Sequence, residues 1–227
     1  MQLPVRSTKR PYHAPRRAAA AAQTREAILA AAKARFEASG WVATTIAAIA
    51  RDADVSPKTI EAVFRTKAAL LAAVVDYAIR GDIDPTPMAA RQAVQAERDA
   101  PDAETMLELH ARRSAAIASR SAHIAWVVET AAAGDKRVAQ LWAQMTHNLR
   151  FGVDMAAETL LGKPGIRADL TRQEAEEILL IAMHWNTYRA LTRMGELTPE
   201  AVQGWIRRYY QRMLLPRTER DGPHRAR

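Results

Sequence analysis

The chain has no cysteine. Disulfides, thiol nucleophiles, thiolate zinc sites and CxxC redox chemistry are therefore excluded, and a reducing compartment is favoured. Histidine is sparse. The six, at positions 13, 110, 123, 147, 184 and 224, show neither HxxxH nor HxH spacing, so the ligand pattern of a dedicated metal site is missing. No cofactor is expected. Only nine of the 227 residues are glycine, and no GxGxxG, P-loop or GxSxG run occurs, which disfavours nucleotide-binding and hydrolase loops. No stretch of about 18 apolar residues exists to span a bilayer. Alternating β-branched runs are also lacking, which argues against strands.

What is abundant is positive charge at the ends. The net charge is +8. Residues 1–22 carry five Lys or Arg and no acid; residues 23–80 carry eight against six; residues 81–216 carry sixteen against seventeen; residues 217–227 carry four against two. A basic N-terminal third on a neutral body points to a polyanion-binding module joined to something else. Residues 1–22, with Pro4, Pro11 and Pro15 among five cations, are expected to form a disordered basic arm. They lack the continuous apolar segment of a secretory signal. Residues 217–227 read as a basic tail. Arg outnumbers Lys 27 to 6 beside heavy Ala use, a bias in keeping with a GC-rich bacterial genome.

From Thr24 onward the chain reads as helices. Helix-forming Ala, Leu, Arg, Glu and Gln dominate. Ile28, Ala32 and Phe36 form an apolar stripe over residues 23–39, stopped by Gly40. Thr44 or Thr45 caps a second helix with Ile46, Ile49 and Ala50 inward. After the turn Asp54-Val55, Ser56 is an N-cap and Pro57 stands at the first helical position, which suits proline. A third helix spans 57–64 and Thr66 caps a fourth that runs to Arg80. Gly81–Pro87 breaks the pattern and marks the boundary to a larger helical body. There, helices are expected near 88–98, 103–118, 121–133, 136–161, 171–194 and 199–214. The fold class is all-α: a three-helix N-terminal domain over 23–80, a linker helix, and a helical domain over 81–216.

Two short helices about a tight turn form a helix-turn-helix pattern. Ala50 is small where the helices would cross and Ile60 plugs the angle between them. The turn requires a positive φ, and Asp54 is among the few non-glycine residues that tolerate one. Pro57-Lys58-Thr59 opens an exposed, polar helix N-terminus. Such an end can enter a major groove, where all base pairs are distinguishable, and its amides favour phosphate.

The run "TREAILAAAKARFEASGWVATTIAAIARDADVSPKTIEAVFRTKAALLAAVV" resembles the N-terminal domain of TetR-family transcriptional regulators. The register features are Ile-Leu…Ala…Phe, Gly-aromatic, Thr-Thr before the second helix, Val-Ser before the third, and Phe-x-x-Lys before a Leu-Leu helix. The resemblance covers residues 24–80; the rest is similar only as a helical body of suitable length. It implies a homodimer that binds double-stranded DNA at a palindromic operator, with a body that takes a small-molecule effector and dimerises through its last two long helices. Carried over by position, DNA contacts fall on Thr45, Ser56, Pro57, Lys58, Thr59, Ala62, Val63 and Lys67, with Thr45 and Lys67 on phosphates and Lys58 and Thr59 at base edges. The aromatic residues common late in the family's third helix are replaced here by Glu61, Ala62 and Val63. Glu61 either reads a cytosine or repels phosphate, and its spacing allows an ion pair with Arg65 or Lys58.

Trp126, Trp142, Met145, Trp185 and Tyr188 are candidate ligand-binding residues, because aromatic walls suit an apolar or flat molecule. Helix 171–194 is apolar on two faces and so needs cover on both. Leu179, Met183, Asn186, Trp205 and Tyr209 are therefore the candidate dimer interface. The expected protein is a cytoplasmic, nucleoid-associated, ligand-responsive dimeric regulator, a repressor released from its operator by an effector, with no membrane partner. Two alternatives are a DNA-binding protein whose body only dimerises and a small helical enzyme. No nucleophile–base pair supports the second, so an enzyme is not expected.

Overall fold

A computed structural model describes residues 14–216, and all structural statements below concern those residues. The basic tail and the first thirteen residues of the arm lie outside them. Ten α-helices follow one another without strands among the described residues.

Helix α1 (Ala14–Ala43) begins nine residues earlier than the apolar stripe predicts. Residues 14–22, expected to be part of a disordered arm, are helical. The reason is local: Ala18–Ala22 is a run of the strongest helix former, and it projects from a helix already nucleated by the buried stripe. Gly40, at φ 72°, interrupts α1 as expected.

The next three helices build the N-terminal head: α2 (Ile46–Asp52), α3 (Pro57–Phe64) and α4 (Lys67–Arg80). Each starts at a hydroxyl cap, with Thr45, Ser56 and Thr66 accepting from Ala48, Thr59 and Ala69 amides. Such caps stabilise a helix by about 1 kcal/mol each. Thr44 serves the preceding helix instead, its buried hydroxyl donating to the Gly40 and Arg35 carbonyls at 2.7 and 3.2 Å. Ile28, Phe36, Ile49, Ile60, Leu70 and Leu71 are almost wholly buried in the head core.

The body follows a 3₁₀ turn at Met88–Ala90 and α5 (Gln92–Asp99). Two helices expected at 103–118 and 121–133 are one, α6 (Ala103–Ala132). Ser119 and Ser121 do not break it, because their hydroxyls donate back to the Ala116 and Ile117 carbonyls within the helix. Helices α7 (Lys136–Leu161) and α10 (Pro199–Leu214) match their predicted spans. The single helix expected over 171–194 is two, α8 (Arg172–Met183) and α9 (Trp185–Arg193). His184 separates them in an extended conformation, its Nδ1 accepting from the Asn186 amide at 3.2 Å. A side chain that can cap a helix start competes with helix continuation.

Two cores result, and α6 belongs to both. Its first half, with Met106, Leu107 and Ala111, packs with α7, α8 and α10. Its second half, with Ile124, Val127 and Val128, closes the head core against α1 and α4. Arg120 reinforces this junction by donating to the Ala78 and Ile79 carbonyls at 3.1 Å each, capping the end of α4.

Candidate DNA-reading head and ligand chamber

The turn between α2 and α3 has the geometry its sequence requires. Asp54 adopts φ 53°, and the Val55 amide returns to the Ala50 carbonyl at 2.9 Å. Ala50 and Ile60 are buried at the crossing. Ser56, Pro57 and Lys58 are exposed at the start of α3, with Thr59 partly so. The Ser56 and Thr59 hydroxyls bond to each other at 2.8 Å. Thr45 is exposed at the start of α2. Ala62 is exposed and Val63 is 44 % exposed, both on the outward face of α3.

Two residues behave differently from expectation. The Lys67 ammonium donates to the Trp41 and Thr44 carbonyls at 2.8 and 2.9 Å and lies 4.1 Å from the Trp41 ring centre. Burial pushes its pKa down. It ties α4 to the loop after α1, so most of its donor capacity is spent inside the head. Glu61 is exposed and makes no ion pair among the described residues. The expected partner Arg65 has φ 63° and ends the helix, so the i,i+4 side-chain geometry of a continuing helix does not exist there.

In the body, a cavity of about 630 Å³ lies between α4, α6 and α7. Val75 and Ile79 of α4 form one wall. Leu141, Met145, Gly152 and Met155 of α7 form another, and Met88 and Met183 complete it. Of the five aromatic and sulfur residues proposed to line it, Met145 and Trp185 do so. Trp126, Trp142 and Tyr188 do not. Trp126 is taken up by the Arg189 guanidinium, 4.7 Å from its ring, and Trp142 packs on Trp185 from outside, with ring centres 5.5 Å apart. The sequence reading favoured large aromatics, whereas the lining is chiefly methionine and aliphatic. The signal was present: residues 141, 145, 148, 152, 155 and 159 recur every three or four positions along α7.

Buried polar groups flank this chamber. Glu97, 3 % exposed, is held by both arms of Arg113 at 2.6 and 2.8 Å. Ser114, on the lining, sits one turn from the buried His110, whose Nδ1 lies 3.3 Å from the Tyr210 hydroxyl of α10. Burial holds His110 well below its usual pKa and pushes the Tyr210 phenol far up.

The candidate dimer residues divide. Leu179 is fully buried in its own body core and Met183 faces the chamber. Neither therefore presents a face to a second chain. Both lie on α8 before the break, on the face that packs against α7 and the rest of the body. Asn186 is exposed, and Trp205 and Tyr209 stack with ring centres 5.1 Å apart on the half-exposed side of α10.

Residues 28–74, which span α1 to α4, match the family model described as bacterial regulatory proteins, tetR family. The head is TetR-like in sequence. The fold of most of the chain is similar to that of solved regulators. A putative transcriptional regulator from Saccharomonospora viridis, solved in complex with choline, is 16 % identical with a TM-score of 0.63; the alignment covers 86 % of this chain and 99 % of that one. A putative TetR-family regulator from Mesorhizobium loti is 15 % identical with a TM-score of 0.61, covering 86 % and 98 %. A TetR transcription regulator from Haloarcula marismortui is 18 % identical with a TM-score of 0.59, covering 84 % and 98 %. No curated protein sequence matches the chain. The TetR-family head thus carries the sequence signature, and the body agrees in fold.

Proposed function

We propose that the protein is a ligand-responsive dimeric repressor that binds a palindromic site through α3 and leaves it when an effector fills the chamber. The observation that carries this reading is the position of α4. This helix follows the reading helix directly, and its Val75 and Ile79 line the chamber. A ligand that fits only one placement of α4 biases the head, and linkage requires that DNA weaken ligand binding by the same factor. A chamber of this size also favours the responsive reading over a body that only dimerises. The test is selection of genomic fragments by the purified full chain, followed by binding to the recovered site with and without molecules drawn from its gene neighbourhood. A recovered site whose affinity is untouched by every ligand bound in the chamber would sink the reading.

The proposed DNA contacts are Thr45, Ser56, Pro57, Lys58, Thr59, Ala62 and Val63, with Glu61 beside them and Lys67 acting from behind. Glu61 carries an uncompensated charge on the outward face of α3. We expect Glu61→Gln to raise affinity for random duplex about fivefold, equivalent to roughly 1 kcal/mol for one charge near phosphate in water, and to leave base preference unchanged. Fluorescence anisotropy on operator and scrambled duplexes measures both. Relaxed specificity at one C·G pair would instead assign base reading to Glu61.

For the dimer we propose the surface of α8 and α10 that carries Ile181, 50 % exposed, and Met213, 40 % exposed, beside Trp205 and Tyr209. Four apolar side chains left partly in water at the end of the body mark an association surface. Trp205→Glu is expected to sediment as a monomer with undiminished helical circular dichroism. An intact dimer would move the interface to another face.

A further inference from the structure

A second cavity of about 580 Å³ adjoins the chamber and shares Ile79, Arg80, Met88, Val94, Arg113 and Ile117 with it. Its walls come from α5, α6 and the end of α4. Five arginines line it, at positions 80, 91, 112, 113 and 120, and no acidic residue does.

The charge balance within this groove is uneven. Arg91 is neutralised by Asp82, which it grips at 2.7 and 2.8 Å. Arg113 is neutralised by Glu97. The other three make no direct ion pair among the described residues, and Asp82, already gripped by Arg91, is the one carboxylate whose charge also acts on Arg80 and Arg120. Arg120 bonds only to the carbonyls that end α4. Arg80 approaches the Asp84, Pro85 and Thr86 carbonyls at 3.1–3.4 Å. Arg112 is exposed and has no ion-pair partner among the described residues. Bonds to neutral carbonyls orient a guanidinium without cancelling its charge. Three guanidinium groups without a direct ion pair therefore surround a concavity that opens from a largely apolar room with four methionines in its walls.

We propose that the effector is an amphiphilic anion, with its apolar body among the methionines of the chamber and its carboxylate or phosphate head among Arg80, Arg112 and Arg120 in the adjoining groove. This rests on the reading of the chamber as the effector site. Guanidinium groups take carboxylate and phosphate oxygens through paired donors. The apolar walls strengthen that attraction by lowering the local dielectric. A cationic head finds no comparable anchor. Both Glu97 oxygens are held by Arg113, and the chamber's other carboxylate, the exposed Asp76, stands one turn before Arg80 on α4.

Calorimetry on the full chain with four twelve-carbon probes tests this, each kept below its micelle concentration: dodecanoate, dodecyl phosphate, dodecanol and dodecyltrimethylammonium. We expect both anions to bind at least tenfold more tightly than dodecanol, with the ammonium weakest. The tighter anion identifies the head. Arg112→Glu should weaken the anions about tenfold and dodecanol less than twofold. Met155→Trp, which fills the chamber, should weaken all four. Dodecanol or the ammonium binding as tightly as the anions overturns the head assignment and leaves the chamber reading intact. Arg112→Glu leaving anion affinity unchanged does the same. No binding by any probe, or binding untouched by Met155→Trp, overturns both.

Discussion

Replacing Ile124 by Ala is expected to cost about 2–5 kcal/mol, the range for removing a large aliphatic side chain from a packed core. The expected loss is not confined to the body in which α6 lies. Ile124 is wholly buried in the cluster that holds Phe36, Ile49 and Ile60 of the head, so the cavity opens against α1 and α4, on which the helix-turn-helix packs. A head of about this size is marginal on its own, and α6 supplies part of its cover. A single cooperative thermal transition, moved down by several degrees, is therefore expected, with operator affinity falling in step with the folded fraction. Scanning calorimetry and anisotropy measured together check this. Two separate transitions, with the head's DNA affinity unchanged, would show that the head is an autonomous domain.

Acidification from pH 7 to 5 is expected to destabilise the protein by about 2 kcal/mol through His110 alone. The sign follows from proton uptake. The folded His110 is buried, with its pKa held well below 6.5, and stays neutral. Its Nε2 has no hydrogen-bond partner among the described residues, and Nδ1 is positioned to accept from Tyr210. The unfolded chain takes up a proton as pH falls through about 6.5. Below that value the unfolded state binds more protons, so stability falls with pH at up to about 1.4 kcal/mol per unit. Arg113 faces the same region and adds to the penalty. His123 and His184 shift in the same direction by burial, so the wild-type slope is steeper still. His110→Phe paired with Tyr210→Phe removes this one titration without leaving the phenol unpartnered. Denaturant unfolding at pH 7, 6 and 5 should show the variant's profile flatter by that increment. A parallel profile would place the proton elsewhere.

Much of the head was legible because local chemistry alone specifies it. Ser56 and Pro57 start α3, Asp54 takes the left-handed turn and Gly40 interrupts α1, each through a backbone preference that needs no distant partner. The body was less legible because its decisions are tertiary or rest on competing hydrogen bonds. Ser119 to Ser121 looks like a pause until the hydroxyls bond within the helix. His184 looks like a polar residue in an apolar stripe until its ring caps the helix that follows. Leu179 looks available for a partner until the neighbouring helices of its own body cover it. Of the side chains expected around the chamber, Met145 and Trp185 reach it, and α4 and α5 supply walls that no local pattern announces. Aromatic walls suit an apolar or flat ligand, yet Trp126 and Trp142 are engaged by Arg189 and Trp185, and methionines supply much of the lining instead. The Glu97–Arg113 pair gave no signal at all, because its partners are far apart in sequence and each alone resembles a solvated charge.

Helix α6 is an unbroken rod of thirty residues, about 45 Å long at the usual rise, with one end in each core. Its middle therefore tolerates changes of length poorly over evolutionary time. One residue inserted between Ala115 and Ala122 would turn one end against the other by about 100° and push it out by about 1.5 Å, taking Ile124 out of the head core. Seven inserted residues would restore the angle to within about 20° but lift the head roughly 10 Å from the body. Relatives of this protein should therefore keep α6 constant to the residue.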